Sequence, residues 1–326
     1  MVEKLAIFEI SSPLWLYVLA FIGVDFASYW SHRFNHVVNV FWNRHIVHHS
    51  SEEFNLACAL RQSISVHLFA QFWYHTRLIG RMGWLEYILV TPSHHRVHHA
   101  INDEYIDKNY AAILIIWDKW FGTFQEELPE VPAVYGTKKP VETWNPILIN
   151  FMHIWQLTKD AWRTQNWWDK VRLWFMPTGW RPADVKEKYP ISIIKDPYSR
   201  PKYEPKTSIF LKGWSWFQLV FHNLLMYHML VYIADFQFVD LLWYSAFLAI
   251  SIFAYTTLMD RHSWAVGAES IKVVLGLFLI YRMDGWFLLD HVFEGATWLI
   301  IIYLLTSLGL TVYFTYFEKK LKESLA

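Results

Sequence analysis

The sequence predicts an all-α, polytopic integral membrane protein whose transmembrane helices carry a cytosolic, histidine-rich cap for two metal ions. Three observations lead there. Hydrophobic residues make up 54% of the 326 and charged residues only 18%. Several runs approach the ~20 apolar residues that a helix needs to cross a bilayer. Eight histidines fall in three tight clusters: His32 and His36; His45, His48 and His49; His95, His98 and His99.

The first apolar run, 13–30, lacks the basic stretch and the small-residue cleavage site of a signal peptide, so residues 1–30 read as an anchor. Asp25 lies near its end, seven residues before His32. If the helix continues, both share a face, and Asp25 is placed to accept a hydrogen bond from a ligand imidazole.

Residues 31–125 read as the metal-bearing core. Histidines at i and i+4, or at i, i+3 and i+4, lie on one helix face, so each cluster can aim two or three nitrogens at one point. Eight imidazoles exceed the four ligands of one tetrahedral zinc, and a two-metal site fits better. Imidazole suits Zn, Cu, Fe and Ni alike, so ligand type alone does not choose among them. Cys58 is the only cysteine, which excludes thiolate zinc sites, Fe–S clusters and a disulfide scaffold. Between the second and third clusters lie Arg61, His67, His75, Arg77, Arg81 and Glu86. Two full crossings would submerge several of these charges, so a shallow or re-entrant excursion is expected.

Residues 126–208 carry many prolines and read as a loop-rich cytosolic connection with short helices. Residues 209–326 hold four further candidate crossings, 214–235, 238–258, 264–281 and 292–317. The third contains Glu269 and Lys272. Between Lys159 and Lys212 twelve Lys/Arg face six Asp/Glu, and the last residues are again basic. By the positive-inside rule both regions are cytosolic. Zero net charge gives no bulk attraction to nucleic acid. The isolated histidines His67, His153, His222, His228, His262 and His291 are expected to be packing residues with hydrogen-bond partners, and His94 points off the ligand face of its cluster.

Around the clusters run longer series: Asp25-x3-Tyr29-Trp30-x-His32-Arg33; His48-His49-Ser50-Ser51-Glu52; Gln71-Phe72-Trp73-Tyr74-His75-Thr76; Thr91-Pro92-Ser93-His94-His95-Arg96-Val97-His98-His99; Asp107-Lys108-Asn109-Tyr110; and Trp117-Asp118-Lys119-x-Phe121-Gly122-Thr123-Phe124. Together these resemble the fatty acid hydroxylase/sterol desaturase superfamily of membrane di-iron oxygenases, and within it the branch of the alkylglycerol monooxygenases and their bacterial relatives. The likeness is dense from Asp25 to Phe124 and architectural beyond it.

The resemblance implies O2-dependent cleavage of glyceryl ethers to a fatty aldehyde and a glycerol derivative. It also implies two non-haem irons, a tetrahydrobiopterin-like reductant, a lipid substrate and a diffusible electron donor. The ligands it implies are His32, His36, His45, His48, His49, His95, His98 and His99, with His75 as a ninth. Asn109 and Asp118 match family positions, where they would bond ligand imidazoles or cap local helices. The membrane would be the endoplasmic reticulum in a eukaryote or the inner membrane in a bacterium. In the relatives an apolar helical hairpin precedes the Gln-Phe-Trp-x-His element; here only Ile64–Ala70 fills that place. Rival readings are a sterol C4 oxidase or desaturase, a fatty acid hydroxylase, a non-catalytic relative, and a metal-handling membrane protein. The last expects ionisable residues lining the crossings.

Overall fold

A computed structural model describes residues 14–59, 61 and 73–318, and among them the protein is helical, with isolated bridges and no strand. The helices, in chain order, are α1 Leu14–Val37, α2 Asn39–His49, α3 Leu56–Ala59, α4 Pro92–His99, α5 Ile116–Trp120, α6 Pro146–Arg163, α7 Trp167–Arg172, α8 Ala183–Lys188, α9 Ile209–Val231, α10 Phe238–Met259, α11 Ala265–Met283 and α12 Ala296–Val312. The segment Ile64–Ala70 and His67 lie outside the described residues.

The chain divides into two compact units, one of residues 1–141 and 150–202, the other of 142–149 and 203–326. In the first, α1 packs on α2. A single non-helical residue, Val38, separates them; its extended backbone (φ −116°) turns the chain back. Thr91 caps α4, accepting from His94 N, and Pro92 follows at the first helical position, where its missing N–H costs nothing. The same logic applies inside the proline-rich stretch, where one long helix stands beside the short helices and loops. Pro146 starts α6 instead of breaking it: Asn145 Oδ1 accepts from Ile147 N and Leu148 N at 3.0 and 3.1 Å, and eighteen residues of helix follow.

In the second unit α9 packs on α10, α10 on α11 and α11 on α12. The core includes Tyr244, Phe247, Leu279, Trp286 and Leu304. Gly276 of α11 lies close against α12; a Cβ there would lie 2.7 Å from Leu304. Glu269 and Lys272 of α11 form a buried ion pair, and Lys272 Nζ also donates to Tyr303 Oη (3.1 Å) and Ser307 Oγ (2.8 Å) of α12.

Among the described residues, three helices are long and apolar enough to cross a membrane: α1, α10, and α12 with its continuation to Phe317. The candidate crossings at 214–235 and 264–281 are helical, as α9 and α11, and are not among these three. The crossing expected from 292 starts at Ala296, because Gly295 at φ +82° ends the preceding turn. The first runs on past Trp30 to Val37, so His32 and His36 sit on its final turns.

Candidate metal centre

Nine histidines converge in the first unit, and they sort into two groups. His32, His36, His45, His49 and His98 form one; His48, His75, His95 and His99 form the other; within each, one ligand nitrogen per residue lies within 4.8 Å of all the others. Helix geometry sets the partition. On α2, His45 and His49 are one turn apart and serve the first group, while His48 points to the second. On α4 the assignment reverses: His95 and His99 join the second group and His98 the first. α1 gives both of its histidines to the first. His94, beside Phe124, is in neither group, and neither is any isolated histidine among the described residues.

The contacts within the groups have coordination-shell dimensions. His75, His95 and His99 place their Nε2 atoms 2.8 to 3.1 Å apart in a triangle. In the first group, His45 Nε2 is 3.0 Å from His32 Nε2 and 3.1 Å from His49 Nε2. A metal–nitrogen bond near 2.1 Å puts adjacent ligands about 3.0 Å apart on an octahedron and about 3.4 Å apart on a tetrahedron. Hydrogen bonding alone fits poorly, since a neutral imidazole has only one N–H.

Three backbone carbonyls fix where that N–H is. His32 Nδ1 donates to Tyr110 O (2.7 Å), His48 Nδ1 to Cys58 O (3.1 Å) and His98 Nδ1 to Lys108 O (3.0 Å). Each bond leaves the Nε2 lone pair facing inward, the outer-shell arrangement typical of metal-binding imidazole. His36 Nε2 and His98 Nε2 are buried with no hydrogen-bond partner, a costly state that a cation would relieve. Burial, reinforced by neighbouring imidazoles, holds His45, His49, His95 and His99 well below the usual 6.5. Burial does the same to His48 and His98. All six are therefore neutral near pH 7, the protonation state that binds metal. The donor set fits two imidazole-bound transition-metal ions.

The three residues expected beside the ligands act differently. Asp25 accepts from Ile113 N and Leu114 N at 3.0 Å each and from Trp117 Nε1 at 2.9 Å. Asp118 accepts from Tyr110 N and Ala111 N at 2.8 Å each and from Thr123 Oγ1. Asn109, at φ +55°, donates to His94 O and Gln125 O and accepts from Gln125 N. The expected bonds to imidazoles are thus corrected. The segment 109–115 is buried or half-buried, its N–H groups need acceptors, and these side chains supply them. Asp118 acts on the centre indirectly, by holding Tyr110, whose carbonyl orients His32.

Sequence reading missed those carbonyls, because a backbone oxygen has no residue signature. It also missed Arg96, which sits between ligands on α4. Its guanidinium grips Glu127 in a fork at 2.6 and 2.8 Å and donates to Thr76 O and Ile79 O. This ties α4 to the backbone that follows His75.

Comparison with known proteins agrees with the site. The family model described as fatty acid hydroxylase matches residues 17–73 and 63–123. That region of the chain resembles the fatty acid hydroxylase family. It carries all nine histidines. The chain is also 34% identical to a Xenopus tropicalis alkylglycerol monooxygenase over 295 residues, covering 81% of this chain. It is 35% identical to the human alkylglycerol monooxygenase over 294 residues, covering 82%. The Caenorhabditis elegans alkylglycerol monooxygenase is 27% identical over 333 residues, 88% of this chain. The chain spans 65% of the length of each of these relatives. No solved structure matches.

Proposed function

We propose that this protein is a membrane di-iron monooxygenase of the fatty acid hydroxylase family. It cleaves the ether bond of alkylglycerols, giving a fatty aldehyde and a glycerol derivative. The observation that carries this is the pair of buried histidine groups, joined with 34–35% identity to alkylglycerol monooxygenases.

His32, His36, His45, His49 and His98 would hold one iron; His48, His75, His95 and His99 would hold the other. When bound, the irons supply O2 activation and oxidation of a C–H bond. The balance is simple. One oxygen atom of O2 enters the alkyl carbon beside the ether oxygen; the other leaves as water, with two electrons and two protons from a tetrahydropterin-class donor. The resulting hemiacetal breaks its carbon–oxygen bond to the glycerol unit. The protein's part is to keep buried imidazoles such as those of His45 and His99 neutral, exclude water and hold one carbon near the centre.

The four-part division drawn from sequence accompanies this reading: an anchor, a histidine core, a cytosolic connection and the C-terminal helices. Basic residues between Lys159 and Lys212 support a cytosol-facing centre, at the endoplasmic reticulum or the bacterial inner membrane.

Purified protein with ferrous iron and a tetrahydropterin, given a 1-O-alkylglycerol under O2, is expected to release fatty aldehyde. His98→Ala should abolish it. Bound iron without aldehyde would redirect the assignment to a sterol or fatty acyl substrate, or to a non-catalytic relative. Absence of bound iron would remove the proposal.

A further inference from the structure

The connection between the histidine core and the C-terminal helices has a surface that suits no water-filled loop. Helix α6 carries two opposed stripes. Ile149, Leu157 and Asp160 are buried, with His153 along the same face. On the opposite face, spaced as i, i+4 and i+11, stand Phe151, Trp155 and Trp162, which are 62%, 61% and 86% exposed. α7 and its exit continue the pattern with Trp168, Val171 and Phe175, all exposed, around buried Leu173. A solvated connection would place polar residues there.

Hydrogen bonds fix where these helices sit within their unit. Asn43 Nδ2 donates to Asn150 O (2.7 Å), Ile154 N donates to Asn43 Oδ1 (2.8 Å), and His153 Nε2 contacts Asn39 O (2.8 Å). Asn39 N and Val40 N donate to Met176 O and Trp174 O at 3.0 and 2.9 Å. α6 and the segment that leaves α7 are therefore pinned to residues 39–43, which directly follow α1 and its candidate crossing. Where α1 leaves the hydrocarbon, α6 and α7 are at headgroup depth. Their polar backbone is also closed off. Lys170 Nζ donates to the carbonyls of Ala161, Trp162 and Thr164 at the end of α6, so no bare helix end faces a medium of low polarity.

We propose that α6 and α7 lie flat in the headgroup region of the bilayer, with Phe151, Trp155, Trp162, Trp168 and Phe175 inserted as an interfacial aromatic face. Trp and amphipathic helices favour that depth. The proposal rests on reading α1 as membrane-crossing, and it replaces a free cytosolic connection with a collar that holds the metal centre against the lipid.

The test uses the full chain in lipid nanodiscs, with Cys58→Ser and single reporter sites Trp155→Cys, Trp162→Cys and Phe175→Cys carrying an environment-sensitive fluorophore. Leu19→Cys in α1 and exposed Glu130→Cys serve as references. Lipids bear a nitroxide at the headgroup, near the glycerol or near the chain end. The expected result is blue-shifted emission at the three sites, quenched several-fold more by the shallow nitroxides than by the deep one. Water-like emission, unquenched as at Glu130→Cys, would overturn the proposal. So would blue-shifted emission untouched by every nitroxide, which would mean a protein partner. Strongest quenching from the chain end would mean a crossing helix and overturn it equally. Leu19→Cys separates the two levels: if it alone is deeply quenched, the collar fails and the membrane reading stands.

Discussion

The imidazole of His49 lies nearly flat on that of His99, ring centroids 4.2 Å apart and planes 17° apart. His49 belongs to the first histidine group and His99 to the second. Among the described residues this stack is the shortest ring contact between the two groups, and it couples α2 to α4. The two centres are one packed object, yet their ligands are separable by mutation.

His45→Ala should therefore remove one metal, not both. His45 Nε2 is the node between His32 and His49 in the first group. Bound iron is expected to fall from about two per chain to about one, in keeping with two groups. Elemental analysis with Mössbauer spectroscopy reads this directly. Loss of both irons would mean that the groups are not independent.

Asp118→Asn tests the indirect control of His32. The substitution keeps the shape and turns one acceptor oxygen into a donor facing a loop N–H. Leaving a buried N–H without an acceptor costs about 1–3 kcal/mol. Disturbing a partner outside the ligand shell typically weakens metal affinity by about 10–100-fold. Thermal melts of the metal-free protein, paired with iron titration, should find both effects. Unchanged affinity would free the Tyr110 carbonyl from its assigned role.

Glu127→Ala removes the partner of a mostly buried guanidinium. Breaking such a pair costs about 3 kcal/mol, and Glu127 is itself partly exposed, which places the loss at or below that figure. The consequence specific to this fold is local: the 76–79 backbone loosens, and with it His75. Iron should be lost first from the group containing His75, while the spectrum of the other group persists.

Acid should unfold the metal-free protein early. His45, His48, His49, His95, His98 and His99 have folded pKa values well below 6.5. Above 6.5 both states carry neutral imidazole, and these residues add no pH dependence. Below 6.5 the unfolded chain takes up protons that the folded chain refuses, so stability falls as pH falls towards the depressed values. Each residue contributes about 1.4 kcal/mol per pH unit in that window. Fluorescence-detected melting between pH 7 and pH 5 should show a steep decline that bound metal delays. A flat profile would contradict burial of the cluster.

Lys272→Met leaves the Glu269 carboxylate buried without its cation and should cost about 3–5 kcal/mol. Adding Glu269→Leu removes the stranded charge and should recover most of that stability. A double variant no better than the single would point to a role beyond helix packing.

The histidine centre was legible because its chemistry repeats in sequence. Spacing of i, i+3 and i+4 on short helices leaves little choice about which face the imidazoles share. His75 was found through the family series around it, since a lone histidine has no spacing to read. The partners of Asp25, Asn109 and Asp118 were not legible in the sequence. Each carries its polar atoms to a buried loop, and loop N–H groups leave no trace in a side-chain pattern. Within the connection, the length of α6 was not legible either. Prolines mark breaks only when they fall inside a helix, and Pro146 falls at the start of one.

By itself, the sequence determined the medium, the helical class and which histidines share a helix face, because composition and helical period are local properties. Only the tertiary structure decided how nine histidines divide five and four, which carbonyls fix their tautomers, and that His49 rests on His99. Those outcomes depend on how α1, α2 and α4 cross one another. Crossing geometry is set by packing and by buried backbone hydrogen bonds between residues far apart in the chain.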